Sequence, residues 1–325
     1  MAKRWTRRPE GSTWGDWGED DELGRINLIT SEKVLEGVRE IEAGKSFCLS
    51  LPLDFPGGSA MNQRRYPPII RPTEDLAHKP DTFYNVVAKD SISPSYIDVW
   101  SDDMVTLWTQ YSTQWDAFAH VGSRFDADGD GESEVLYYNG HYPGPDVDGM
   151  ATAGLQGRGV MVDLHRRYGN TKVAVDHAML DEVMREQHVV VEPGDILTLR
   201  TGWAQLLVDM HGTPDREILR NSCAGLDAGD PALLEWIAAS GIAAIVADNL
   251  AVEAFPPKDG GPGAPYLPLH ELCLFKLGIN LGEMWYLTEV ADWLRANERT
   301  RFFLTAPPLR LRGHVGSPVT PIATV

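Results

Sequence analysis

The sequence predicts a single mixed α/β domain with a β-rich core, and three observations carry that prediction. Short apolar runs bounded by turn residues alternate with stretches of helical spacing through the second half of the chain. Hydrophobic residues make up 43% of the 325 residues and charged residues 23%, which is globular composition rather than that of a disordered or fibrous chain. No linker, repeat or low-complexity tract divides the chain, so although roughly 150 residues per domain would allow two, α/β folds of this length often form one. The reading is an irregular N-terminal extension over residues 1–45 and one folded domain over 46–325.

The elements follow in order. Ser31 is placed as the N-cap of a helix running to Ala43, with Val34, Leu35, Val38 and Ile41 as its apolar positions. Residues 46–53 alternate as a strand. Residues 54–95 carry Gly57-Gly58, Pro67-Pro68 and Pro72 and form a long surface excursion, the kind of ordered loop that tends to be functional. Residues 159–164 are an apolar run suited to a buried strand. Asp176 caps a helix to Val189 through Ala178, Leu180, Val183 and Met184. Pro193-Gly194 turns into a strand at 195–200. Residues 231–240 form a helix with Pro231 in its first turn and Gly241 past its end. A strand at 242–247, a helix over 267–277 closed by Gly278 and a strand at 301–304 complete the pattern.

Composition narrows the function. Lys+Arg 29 against Asp+Glu 47 gives a net charge of −18, which opposes nucleic acid and anionic membrane as partners. Cys48, Cys223 and Cys273 are scattered, with no CxxC, which argues against a disulfide framework or zinc ribbon and for a reducing compartment. The basic start MAKRWTRRPEG has no apolar segment behind it, and the most apolar stretch, 237–252, is interrupted by Asp248 and Asn249. A soluble cytoplasmic protein with a small-molecule partner is expected.

Several motifs lead nowhere. Asp126-Ala-Asp128-Gly-Asp130-Gly131 opens like an EF-hand loop, but its twelfth position is Tyr137 and neither flank has helical spacing; an acidic turn is the simpler reading. Walker A, GxGxxG and GxSxG are absent. His270-Glu271 begins like HExxH, but Leu274 stands where the second histidine belongs.

The segment Gln110-Tyr-Ser-Thr-Gln114-Trp-Asp116-Ala-Phe-Ala-His120 is different. If extended, it sets Gln110, Gln114, Asp116 and His120 on one face and Trp115, Ala117 and Ala119 on the other. A structural His–Asp pair and a catalytic constellation both fit that spacing. This segment resembles the H-x-G-T-H-x-D-x-P-x-H motif of the metal-dependent cyclase/hydrolase family, which includes bacterial kynurenine formamidase and isatin hydrolase. Thr113, Asp116 and His120 match; Gln110, Ser112, Gln114 and Phe118 depart. Arg158-Gly-Val-Met-Val-Asp163 is similar to the family's R-G-V-L-L-D strand. Pro193-Gly-Asp195 through Arg200-Thr-Gly-Trp203 is similar to its P-G-D…R-T-G-W segment, and His270…Gly278-Ile279…Glu283 to its late H…G-I…E pair.

The resemblance implies a swivelling β/β/α fold, a homo-oligomer with residues 1–45 as an arm reaching a neighbour, and a divalent metal. It implies Asp116, His270 and Glu283 as ligands, joined by Gln114 through its amide oxygen, with His120 in acid/base catalysis beside Asp116. The motif's last histidine thus persists while two imidazole positions have become Gln110 and Gln114. An amide oxygen is a harder, weaker ligand than imidazole, so manganese or magnesium gains on zinc, and loss of the metal stays open. The implied chemistry is hydrolysis of an amide, lactam, lactone or ester. A polyketide-type cyclase or dehydratase and a ligand-binding protein with a degraded site are the alternatives. Trp115 and Phe118 are candidates for an aromatic substrate surface as well as for core packing. Arg64 or Arg65 could clamp a carboxylate, unless they are a solvated basic pair. Asn139 and His141, just beyond the motif, are substrate-binding candidates, with a turn-forming Asn-Gly as the alternative.

Overall fold

A nine-stranded sheet organises the chain, whose computed structural model describes residues 4–74, 79–257 and 260–325. Its strands are β1 (Ser46–Cys48), β2 (Gln114–Asp116), β3 (Gln156–Asp163), β4 (Ile196–Arg200), β5 (Ala244–Ala247), β6 (Asn280–Glu283), β7 (Arg301–Thr305), β8 (Gly316–Pro318) and β9 (Ile322–Thr324). They lie in the order β1-β9-β7-β3-β4-β5-β6-β2-β8. The central four, β3 to β6, are parallel, and every pairing outside them is antiparallel. Parallel strands need crossover connections that cover both sheet faces, so they read as unbroken apolar runs; every position of β4 and β5 is buried.

Alternation along β4 divides the core. Leu197 and Leu199 join Ile245, Leu281, Leu180, Ile237 and Phe275 on one face. Ile196 joins Met161, Val246, Trp115, Trp285, Phe302 and Leu294 on the other. The helix His177–Glu186 starts where expected, with the Asp176 carboxylate accepting the Met179 N–H. Pro231–Ser240 ends at Gly241, whose φ of 71° is left-handed. The helix expected over 267–277 is a short turn at Pro268–His270 that widens into a π-helix over Glu271–Leu277 and ends at left-handed Gly278.

One expectation is corrected. The first helix spans Ser31–Arg39, capped by Thr30 rather than Ser31. Its apolar positions Leu35 and Val38 face outward, as does Ile41 beyond its end, while Lys33 and Gly37 are buried. Charge and close approach dock it: Lys33 Nζ lies 3.2 Å from Asp195 Oδ1, and the Arg158 guanidinium donates to both oxygens of that carboxylate, at 2.8 and 3.1 Å. A Cβ on Gly37 would stand 2.9 Å from the Gly157 carbonyl carbon.

The described part of the N-terminal extension, residues 4–45, packs against its own chain. Trp14 is fully buried, donates its indole N–H to the Phe275 carbonyl at 2.7 Å and meets the Phe275 ring edge-on at 5.2 Å. Arg25 donates to the carbonyls of Ile237 and Ala238. The described residues of the 54–95 excursion are mostly half-buried or exposed. With the residues after them, they form two small antiparallel ribbons, Ile69–Pro72 with Asp103–Thr106 and Val86–Val87 with Val99–Trp100. Truncating Trp14 to Ala should destabilise the fold by about 3–5 kcal/mol in a denaturant titration. A change below about 1 kcal/mol would show that the extension is not part of the core.

Candidate metal centre

The centre is built where β2 lies antiparallel against β6, pairing Gln114 with Glu283 and Asp116 with Leu281. Side chains alternate across a strand, so Gln114, Asp116 and Glu283 share a face while Trp115 and Gly282 take the other. That opposite face is tightly filled. Trp115 and Trp285 meet edge-on at 5.0 Å, and a Cβ on Gly282 would approach the Trp285 indole nitrogen to 2.8 Å. Thr113 pins the strand's entry by donating its hydroxyl to the Met284 carbonyl at 2.6 Å and accepting the Leu51 N–H at 2.9 Å. His270 enters from the helical turn before the π-helix.

The result is a buried cluster. His270 Nε2 lies 3.2 Å from Glu283 Oε1 and 3.9 Å from Asp116 Oδ2. Gln114 Nε2 donates to Asp116 Oδ1 at 3.1 Å and to Glu283 Oε2 at 3.2 Å. Behind the histidine, Glu253 accepts the Nδ1 proton at 2.7 Å. Burial opposes a charged His270, but the hydrogen bonds and charges of Glu253 and Glu283 outweigh it and raise its pKa to about 10. Burial, and then the Asp116 charge, push Glu283 up to about 7.

Three carboxylates therefore surround one imidazole out of reach of water. Two atoms in this cluster have no hydrogen-bond partner, Asp116 Oδ2 and Gln114 Oε1. Buried carboxylate and amide oxygens are not normally left unpaired. The ligand atoms of Asp116, His270 and Glu283 lie within 4.8 Å of one another, so the donor set fits a divalent cation both in geometry and in charge.

The other expected site residues scatter. Only 114–116 of the motif is strand; residues 118–120 form a 3₁₀ turn, so His120 does not share the strand's face by alternation. The turn still brings its Nε2 to 3.9 Å from Asp116 Oδ1, and at 22% side-chain exposure it is the accessible member of the group. Gln110 lies outside the strand and packs over Gly316, where a Cβ would meet its Nε2 at 2.4 Å; that nitrogen is buried without a partner.

Trp115 and Phe118 are corrected to core residues, the first against Trp285 and the second against Tyr138 at 4.8 Å. Asn139 and His141 are corrected to staples of the N-terminal segment. Asn139 accepts the Gly15 N–H and donates to the carbonyls of Gly18 and Asp21, and His141 Nε2 bonds the Asp21 carbonyl. Arg64 is exposed, and it is the half-buried Arg65, bonded to the Gln110 carbonyl at 2.6 Å, whose charge acts on Glu283. The acidic loop is a turn between two short strands, Ser123–Phe125 and Glu134–Leu136, with Asp126 accepting the N–H groups of Gly129 and Gly131.

Sequence reasoning missed Glu253. Its only local signal is an acidic residue left at the end of the apolar stretch that supplies β5. A cavity of ≈ 400 Å³ lined by Trp203, Leu219, Asn249 and Leu250 includes Glu253 in its wall, but none of Gln114, Asp116, His120, His270 or Glu283. It is therefore set apart from the centre's reactive side.

Comparison with known proteins follows the same lines. The Cyclase family model matches residues 49–254. A crystal structure described as a novel cyclase superposes with a TM-score of 0.77 at 31% identity, covering 97% of this chain and 99% of its own. An isatin hydrolase bound to the product analogue thioisatinate has a TM-score of 0.57 at 16% identity, covering 91% of this chain and 99% of its own. Isatin hydrolase A from Labrenzia aggregata, bound to benzyl benzoate, has a TM-score of 0.56 at 16% identity over 86% of this chain and 93% of its own. A search of curated protein sequences finds no match. With the family model spanning most of the chain, and with the novel cyclase aligned along almost its whole length, this chain belongs to the Cyclase family.

Proposed function

We propose that the protein is a metal-assisted hydrolase of a small cyclic or acylated substrate: an amide, lactam, lactone or ester. The observation that carries this reading is the unpaired Asp116 Oδ2 inside a buried excess of carboxylates, which a bound cation would balance. Asp116, Glu283 and His270 Nε2 would hold the ion, with Gln114 turning its amide to present Oε1. Mostly oxygen donors favour manganese or magnesium over zinc. When bound, the ion polarises a carbonyl and lowers the pKa of water. His120 stands at the accessible edge, placed to take a proton from attacking water and return it to the departing nitrogen or oxygen. Asp116 lies on the buried side of that imidazole, 3.9 Å from its Nε2. The isatin hydrolases among the structural neighbours support hydrolysis as the reaction class. Ring closure by the same acid/base pair is the second reading, favoured by the family's own description.

The exposed apolar side chains on and around the two small ribbons, Ile70, Ile97 and Trp100 among them, support a homo-oligomer. Sedimentation showing a monomer at micromolar concentration would contradict it.

The enzymatic reading is tested on a panel of lactams, anilides and aryl esters with and without chelator. Protein as purified should carry a divalent ion and lose turnover on chelation; inert, metal-free protein would favour ligand binding alone. His120→Ala should lower turnover by about 10²–10⁴-fold with metal content unchanged, and near-normal turnover would place the acid/base elsewhere. Asp116→Asn should abolish metal binding yet stabilise the chelated protein by on the order of 1 kcal/mol, because it removes one of two mutually repelling buried carboxylates. A fall in melting temperature in chelator would contradict that account of the charge.

A further inference from the structure

We infer that Glu253 is the positioning residue of this centre, fixing the ring of His270 so that Nε2 alone faces Asp116 and Glu283. The inference rests on the metal reading above and adds to it a residue outside the motif. Glu253 is buried, and its carboxylate is committed to one short stretch of chain. Oε1 accepts both the His270 ring Nδ1–H at 2.7 Å and the His270 backbone N–H at 3.2 Å, while Oε2 accepts the Leu269 N–H at 3.4 Å. The ring Nδ1 and two backbone N–H groups converge on this one carboxylate, so Nδ1 is committed to Glu253 and Nε2 is the nitrogen left facing Asp116 and Glu283. The backbone bond keeps Glu253 beside the ring, and turning the imidazole over would break both its Nδ1 bond to Glu253 and its Nε2 bond to Glu283.

The turn that delivers Glu253 is constructed at a cost. Val252 has a φ of 59°, in the left-handed region that a β-branched residue seldom adopts. Asn249 enforces it, accepting the Val252 N–H at 2.8 Å and donating to the Val252 carbonyl at 3.4 Å and the Ala224 carbonyl at 3.3 Å. Strained backbone persists where its surroundings over-determine it, and it concentrates at functional sites. Here its product is an inward-aimed acid immediately behind a ligand candidate. A carboxylate on the far nitrogen of a ligating histidine sets its tautomer and raises its basicity, and removing such a partner costs 10–100-fold in metal affinity.

The test uses the full chain, Mn²⁺ and Zn²⁺ as probes, calorimetric titration, and proton NMR of the imidazole N–H. Glu253→Gln keeps an acceptor for Nδ1–H and should fold; its Mn²⁺ affinity should fall by roughly 10-fold, and Glu253→Ala, where it folds, should lose closer to 100-fold. The low-field His270 N–H resonance of the wild type should shift in the Gln variant and vanish in the Ala variant. Wild-type affinity in Glu253→Gln, even with a lowered melting temperature, would make Glu253 merely structural and overturn the inference. Wild-type protein that binds neither ion but shows the resonance would overturn the metal reading while supporting the orienting role. Wild-type protein lacking the resonance would overturn that role.

Discussion

Burying Asp116, Glu283 and Glu253 around the single imidazole of His270 is the constraint on which the rest of the structure depends. Carboxylates leave water at high cost and repel one another, so the scaffold has to hold them against both tendencies. The Thr113 hydroxyl clasps Leu51 to Met284, Asn280 donates to the Asp116 carbonyl at 3.0 Å, and Trp285 donates to the Gln114 carbonyl at 3.0 Å. Each of these fixes the β2–β6 register from a different side. A slip of one residue would turn Gln114 and Asp116 into the tryptophan layer and bring Trp115 into the charged cluster.

The fold supplies the place where this can happen. Four parallel strands form a rigid apolar slab, and β2 joins its end antiparallel, setting the last residue of β6 beside the first of β2. Helical connections then roof one face, and the turn after β5 feeds Glu253 in behind His270. The ligand candidates come from two neighbouring strands and a helical turn, with a crossover loop supporting them. Parts drawn from rigid elements hold geometry better than parts drawn from loops.

Much of this was legible in the sequence. The apolar runs of β3, β4 and β5, the Asp176 cap and the glycine stops at 241 and 278 all act locally, so they show as pattern. Asp116, His270 and Glu283 could be nominated because the motif survives around them, and the structure brings them together. What escaped depends on tertiary contact. The first helix buries Lys33 and Gly37 because Asp195 and Gly157 wait across from it, which no helical periodicity reveals. Asn139 and His141 look like site residues until residues 15–21 are seen lying against them. Glu253 carries no motif, since its meaning lies in a strained turn and a histidine 17 positions later.

The most direct measurement is anomalous diffraction from crystals grown with Mn²⁺, collected at the manganese edge. The account predicts one peak in the centre, roughly 2.0–2.2 Å from Asp116, Glu283 and His270 Nε2, with His270 Nδ1 still bonded to Glu253. No peak there at saturating Mn²⁺, with Asp116 Oδ2 still unpaired, would contradict it.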